Sequence, residues 1–579
     1  MKQRLTVIAL LLFVSLNAFG WEREYIWPKG KMPDAQPAQV ATMTDELFKP
    51  VFDPDTHREP YLEWFDAPAP EVRNGGCMIL TSGGGYETCC DIHHIKRWRE
   101  AYTALGFQCV NFVYRTPRPE GLPVYQSAWE DGQRAVRVVR SEAAKRGYDP
   151  EKIGAIGMSA GSHMILLLAT SSQTPAYKPI DKIDRISCHL NWAVVNSPAY
   201  VTSDGENGTE AQFQGFGPEV TLSKVFKFEE KSCPMTLHHG GADPYSPNGS
   251  TMIYRKLHEM GIPAELHLYP NKPHMELGAE RAHEFLRQLG LLEPLQPEVL
   301  LSERYNSDEA RSRYIKEPVW PEGKIPDLQE HQWEPYIEWH FPKKLKTKAI
   351  QIVYSGGSYI NNDPDSYEAA PARRYLNEMG MTVVTLKYRC PRPNGMDKYI
   401  TAWQDLQRTV RLVRSKAADY GLDPNQIGIM GCSAGGHLTM MGVASSQHQS
   451  YLPIDEIDTL PCNVQWAVGI YVAYTLSDDD GEGYNLTRGC GQGVTLNPEL
   501  IFDKGTCPMF LIHGDADEVS SMASVYIWER LRAMGLQSEL HTLALRDHGF
   551  QKTASPGTGS YNFLDRIGEW LRTMVSFEQ

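Results

Sequence analysis

At 579 residues the chain is too long for one ordinary hydrophobic core, which points to two domains. With 41% hydrophobic and 22% charged residues, and no low-complexity block, it has the balance of an ordinary globular enzyme. A formal net charge of −14 argues against a polyanionic partner such as nucleic acid.

Taken in chain order, residues 1–20 read as a secretory signal. Lys2 and Arg4 supply the positive start, Leu5 to Leu16 the apolar stretch, and Ala18 and Gly20 the small residues before a cut ahead of Trp21. The apolar run is short for a spanning helix. The expected product is secreted or periplasmic, with no membrane contact after cleavage. Its oligomeric state is not legible.

In the part that follows, apolar runs predict strands at Cys77–Thr81, Cys109–Tyr114, Ile153–Gly157, Trp192–Asn196, Met235–His239 and Ala264–Tyr269. Helical periodicity occupies Ile95–Leu105 and Val124–Gly147. Strand and helix in alternation imply a mostly parallel sheet flanked by helices. The stretch Asn111–Ser171 then recurs at Thr385–Ser445, with Tyr114 matching Tyr388, Trp129 matching Trp403 and Ser159 matching Ser433. Trp320-Pro321-Glu322-Gly323-Lys324 likewise echoes Trp27-Pro28-Lys29-Gly30-Lys31. Such a long period is a duplicated domain rather than a solenoid, whose units span roughly 20–50 residues. The expected organisation is a signal at 1–20, a first α/β domain at 21–295, a linker at 296–318 and a second α/β domain at 319–579.

Chemistry enters at Gly157-Met158-Ser159-Ala160-Gly161 and Gly431-Cys432-Ser433-Ala434-Gly435, each between an apolar run and a helix-like run. A G-x-S-x-G in that context is a nucleophile elbow. The bare pattern is weak, but its context and its recurrence strengthen it. A serine nucleophile needs a base, and the base an orienting carboxylate, in the chain order Ser, acid, His. Asp243 and His274 fill those roles in the first unit, Asp517 and His548 in the second, and all three pairs stand 274 positions apart. Asp515 is a rival acid, but the first unit has Gly241 at that place. His238, His239 and His513 read as strand-end structure.

Oxyanion donors are expected from the backbone of Ala160 and Ala434 and from glycine-rich loops. The loops are Ser82-Gly83-Gly84-Gly85-Tyr86 and Ser355-Gly356-Gly357-Ser358-Tyr359, with Gly84, Gly85, Gly357 and Ser358 as the candidates. Ser358 keeps a backbone donor but could shift the loop or narrow the pocket. This chemistry requires no metal or organic cofactor, and the eleven cysteines show no CxxC metal pattern.

Together, the glycine loop, the Tyr-Arg-x-Pro-Arg-Pro stretch, the Asp-x-Gln-Arg helix, the Gly-x-Ser-Ala-Gly-x-His elbow and the final His-Gly-Phe resemble one α/β-hydrolase group. It holds the acetylxylan esterase-like and feruloyl esterase-like carbohydrate esterases. The resemblance implies two tandem α/β-hydrolase domains that remove acetyl or feruloyl groups from plant polysaccharide. The first unit departs from it at Gly161-Ser162-His163 and at His274-Met275-Glu276, the second at Ser358. Two alternatives remain at this level: a peptidase of the prolyl oligopeptidase type, and one unit serving as a non-catalytic carbohydrate-binding copy.

Two further expectations follow. Cys188 with Cys233, and Cys462 with Cys507, precede neighbouring strands and would form either disulfides or pairs of buried thiols. The long segments Ala199–Lys231 and Ala473–Lys504, with Phe213, Phe216 and Tyr484, would line the substrate cleft.

Overall fold

The computed structural model describes residues 22–35, 59–89, 92–206, 215–217, 219–293, 314–479, 488–550 and 563–578. The expected signal, Phe213 and Tyr484 lie outside the described residues. The chain divides into two units: Met1–Leu257 with Asn271–Leu292, and His258–Pro270 with Glu293–Gln579.

In the first unit the strands are β1 (Glu22–Tyr25), β2 (Tyr61–Trp64), β3 (Cys77–Thr81), β4 (Gln108–Val113), β5 (Ile153–Met158), β6 (Trp192–Asn196) and β7 (Met235–Gly240). They are ordered β1-β2-β4-β3-β5-β6-β7. The first two pairings are antiparallel and the rest parallel. Strands β3 to β7 are buried along their whole length. That burial is why they read as continuous apolar runs rather than as an alternation.

The second unit takes in β8 (Ala264–Tyr269) together with β9 (Tyr314–Pro318), β10 (Tyr336–His340), β11 (Ile350–Tyr354), β12 (Thr382–Lys387), β13 (Ile427–Cys432), β14 (Trp466–Ile470), β15 (Met509–Gly514) and β16 (Glu539–Leu543). Its strand order repeats that of the first unit as β9-β10-β12-β11-β13-β14-β15, continuing through β16 to β8. Only β9/β10, β10/β12 and β8/β16 are antiparallel. Its core includes Trp466, Phe510, Ile567 and Trp570, all buried, and each such side chain contributes about 1.5–3 kcal/mol. The buried Trp466 indole donates to Gln351 at 2.8 Å. Each unit is a mostly parallel sheet flanked by helices.

The Tyr-Arg and Asp-x-Gln-Arg motifs turn out to be scaffold. In the second unit Arg389 donates through its backbone and Nε to the Asp405 carboxylate, which also accepts from Trp320 Nε1 at 2.7 Å. Arg115, Asp131 and Trp27 repeat the arrangement in the first. The motif arginine three residues after that aspartate, Arg134 or Arg408, binds Asp181 and Asp184 or Asp455 and Asp458. This network ties the long helices Gln126–Arg146 and Ile400–Lys416 to the loops beside them.

The disulfide expectation is corrected: Cys188, Cys233, Cys462 and Cys507 are buried thiols. Cys188 and Cys462 donate to the carbonyls of Ser172 and Ser446 at 3.1 Å. Burial pushes the thiols of Cys233 and Cys507 up to about 12. Thiols so far above neutrality stay protonated and unreactive.

Candidate active site

Each candidate nucleophile occupies the single residue between a strand and a helix. β5 ends at Met158 and the helix Ala160–Thr170 follows; β13 ends at Cys432 and Ala434–Ala444 follows. The chain reverses within that residue, which forces Ser159 to φ 57°, ψ −124° and Ser433 to φ 55°, ψ −121°. A side-chain-bearing residue in such a region costs on the order of 1–3 kcal/mol. Backbone hydrogen bonds hold it there: Ser433 N–H donates to Ile470 O and Ser159 N–H to Asn196 O.

In the second unit the three predicted residues form one connected run. His548 Nε2 lies 2.9 Å from Ser433 Oγ. Its Nδ1 lies 3.0 and 2.9 Å from the two Asp517 carboxylate oxygens. Asp517 is fixed in turn by the Val519 N–H at 2.7 Å and by His513 Nε2 at 3.4 Å. Burial alone would raise the Asp517 carboxyl, but His513 and His548 outweigh it and hold it below the ordinary carboxylate value. Burial alone would lower His548; the hydrogen bond and charge of Asp517, with Glu368 and Glu518, reverse that and raise it. With His548 as the candidate base, the acid limb of kcat/KM for the second unit is expected above pH 6.5, the ordinary histidine value, because a base must be neutral to accept a serine proton. A pH–rate profile of p-nitrophenyl acetate hydrolysis checks this, and a limb at or below 6.5 contradicts it.

The first unit is built alike up to the last link. His274 Nδ1 lies 2.8 Å from Asp243 Oδ2, and Asp243 also takes the Tyr245 N–H and faces His239 Nε2 at 3.3 Å. His239 outweighs burial and, with His274, holds the Asp243 carboxyl below the ordinary range. Among the described residues, however, Ser159 and His274 share no hydrogen bond like that of Ser433 and His548. The two sites also differ downstream of the histidine. Glu276 accepts from Trp98 Nε1 at 2.5 Å and Arg97 at 2.6 Å, and Ser197 Oγ donates to Met275 O. The corresponding Phe550 packs its ring against Tyr471 and Phe563 instead.

The glycine loops lie directly over the serines. A Cβ on Gly83 or Gly356 would come within 2.7 Å of the Ser159 or Ser433 Cβ, so only glycine permits this approach. Next, Gly84 (φ 125°), Gly85 (61°) and Tyr86 (62°) are matched by Gly357 (102°), Ser358 (56°) and Tyr359 (59°). Ser358 thus leaves the loop backbone where glycine has it. A Cβ at Gly85 would meet nothing closer than the Tyr200 hydroxyl at 3.4 Å, so space at the matching position does not bar a side chain. Ala160 and Ala434 are the first residues of their helices, where N–H groups lack a partner four residues back.

Sequence reasoning passed over His239 and His513 as strand-end structure, yet both stand behind the acid. Each also hydrogen-bonds a serine, Ser250 or Ser524. Their spacing of 274 was the available signal. Among the described residues no three His, Cys, Asp or Glu side chains are grouped as a metal site requires.

The BD-FAE family model matches residues 67–194 and 337–475. One stretch in each unit therefore resembles this family. The tandem α/β-hydrolase thus resembles the acetylxylan esterase- and feruloyl esterase-like carbohydrate esterases. An acetylxylan esterase of Xylanibacter ruminicola is 26% identical over 248 residues, covering 40% of this chain and 47% of the relative. Endo-1,4-beta-xylanase B of Butyrivibrio fibrisolvens is 28% identical over 211 residues, covering 34% and 32%. These matches therefore span less than half the length of either relative. Among solved structures, an acetyl ester-xyloside bifunctional hydrolase from Caldicellulosiruptor lactoaceticus is 22% identical over 45% of this chain and 96% of its own, with a TM-score of 0.37.

Proposed function

We propose that the chain is an exported carboxylic ester hydrolase that removes acetyl or feruloyl groups from plant polysaccharide, with most turnover in the second unit. The observation that carries this is the connected run Ser433–His548–Asp517. His548 Nε2 takes the Ser433 proton as Oγ attacks the ester carbonyl. The N–H groups of Ala434, Gly357 and Ser358 stabilise the oxyanion, and the imidazolium then protonates the departing alcohol. Water, deprotonated by the same histidine, clears the acyl-enzyme. Asp517 holds the tautomer and stabilises the imidazolium. No step calls for a metal. The BD-FAE match and the acetylxylan esterase relative support the ester and the polysaccharide substrate.

Ser159, His274 and Asp243, with Ala160, Gly84 and Gly85, would perform the same steps in the first unit. A second reading makes that unit a carbohydrate-binding copy without turnover; the open Ser159–His274 link favours it. The test is acetate release from acetylated xylan by the full chain and by the double variant Ser159→Ala, Ser433→Ala. Release by the parent alone is expected. A folded parent that releases no acetate or ferulate would sink the polysaccharide assignment.

A further inference from the structure

The second unit's site contains a buried carboxylate that the mechanism above does not use. Glu368 lies in the loop before the helix Ala370–Glu378 and is 7% exposed. Its Oε2 accepts the Gly356 N–H at 2.7 Å, and its Oε1 accepts the Tyr471 hydroxyl at 3.2 Å. Both contacts lead straight to the reacting groups. Gly356 is the loop residue that sits over Ser433, since a Cβ there would come within 2.7 Å of the Ser433 Cβ and 3.2 Å of Glu368 Oε2. The Tyr471 ring lies edge-on to the His548 ring, with centroids 4.8 Å apart. One side chain therefore grips the donor loop by its backbone and the general base through a tyrosine.

Among the described residues the first unit shows no equivalent carboxylate at the matching positions. At 274 positions earlier, Glu368 becomes His94 and Tyr471 becomes Ser197. His94 faces Glu276 at 3.9 Å, and the same carboxylate accepts from the Trp98 indole. The unit with the buried glutamate has the closed serine–histidine link, and the unit without it does not.

We propose that Glu368 is a positioning residue of the second site, holding the oxyanion-donor loop through Gly356 and the His548 ring through Tyr471. The proposal rests on the serine-hydrolase reading of Ser433. The groups facing His548 are Asp517 and Glu518 from the loop after β15, Glu368 from the loop before its helix, and Tyr471 after β14. Glu368 adds negative charge near His548 and helps hold it above its ordinary value. The sign follows: without that charge His548 loses its proton at lower pH, so the acid limb of serine reactivity moves down.

The test is the rate at which a fluorophosphonate labels Ser433 in the full chain, followed by peptide mass spectrometry across pH. The Ser159 and Ser433 peptides are read separately, and no ester turnover is needed. Glu368→Ala is expected to slow Ser433 labelling at least roughly tenfold through loss of the loop anchor. Glu368→Gln keeps an acceptor for the Gly356 N–H and should restore the plateau rate to within about threefold. Its acid limb should nevertheless fall by roughly half a pH unit or more. Labelling of Ser159 should be unchanged in both. Wild-type rates and midpoints in both folded variants would overturn the proposal. So would equal losses in both with an unmoved midpoint, which is the signature of a merely structural residue. Ser433 labelling without ester hydrolysis would sink the esterase reading and leave this one standing.

Discussion

Replacing Ser433 by alanine is expected to remove most p-nitrophenyl acetate hydrolysis by the full chain, while Ser159→Ala removes little. The two serines share an elbow, a backbone strain and a donor loop, so their difference lies with the base. His548 sits at hydrogen-bond distance from Ser433, whereas the segment after His274 is held toward Trp98 by Glu276. A misplacement of about 1 Å in a reacting pair costs roughly 100-fold in rate. The Ser433→Ala chain should then retain about one hundredth of the parent kcat/KM, all of it from the first unit. Initial rates of the two single variants decide the matter. Equal losses would mean that His274 closes on Ser159 only when substrate is bound, as catalytic hydrogen bonds often do.

The largest effect on stability is expected from Asp405→Ala. Arg389 and Asp405 have fully buried side chains, and the carboxylate gathers the arginine Nε, its backbone N–H and the Trp320 indole. Removing the acid leaves a guanidinium buried without its counter-charge, at about 3–5 kcal/mol. That is a large share of the roughly 5–15 kcal/mol that holds a domain folded. For a domain of this size the melting transition should fall by about 6–20 °C. Scanning calorimetry of the full chain and the variant measures the shift. A shift under about 2 °C would mean that Arg389 finds other partners, and the scaffold role would fail.

The sheet was legible because its strands are buried on both faces, so Ile153–Gly157 and Met235–His239 needed only their apolar runs to be found. β4 starts one residue early, at Gln108, because that buried amide bonds Phe65 O and a polar residue could join the strand. The strands β1 and β9 escaped notice: Glu22–Tyr25 and Tyr314–Pro318 are polar and largely exposed edges with no apolar signature. That Ser433, His548 and Asp517 would come together was legible from the spacing they share with Ser159, His274 and Asp243, since duplication repeats residues at one constant offset. Glu368 and Glu276 could not be found that way, because each exists in one copy only and pairs far along the chain, Glu368 with Tyr471 and Glu276 with Arg97 and Trp98 of the helix Ile92–Ala104. The disulfide expectation failed on local geometry: Cys188 and Cys462 turn toward carbonyls sixteen residues back, which no spacing rule reveals.

The paired buried networks around Asp131 and Asp405 differ little, while the positions beside the two histidines differ between the units. Folding and reactivity are therefore written in separate sets of residues. The first unit is a spare chassis: His94, Ser197 and Glu276 can be exchanged for Glu, Tyr and Phe without touching a member of the arginine network. A change beside one histidine can thus alter that cleft while the buried framework of both units stays as it is.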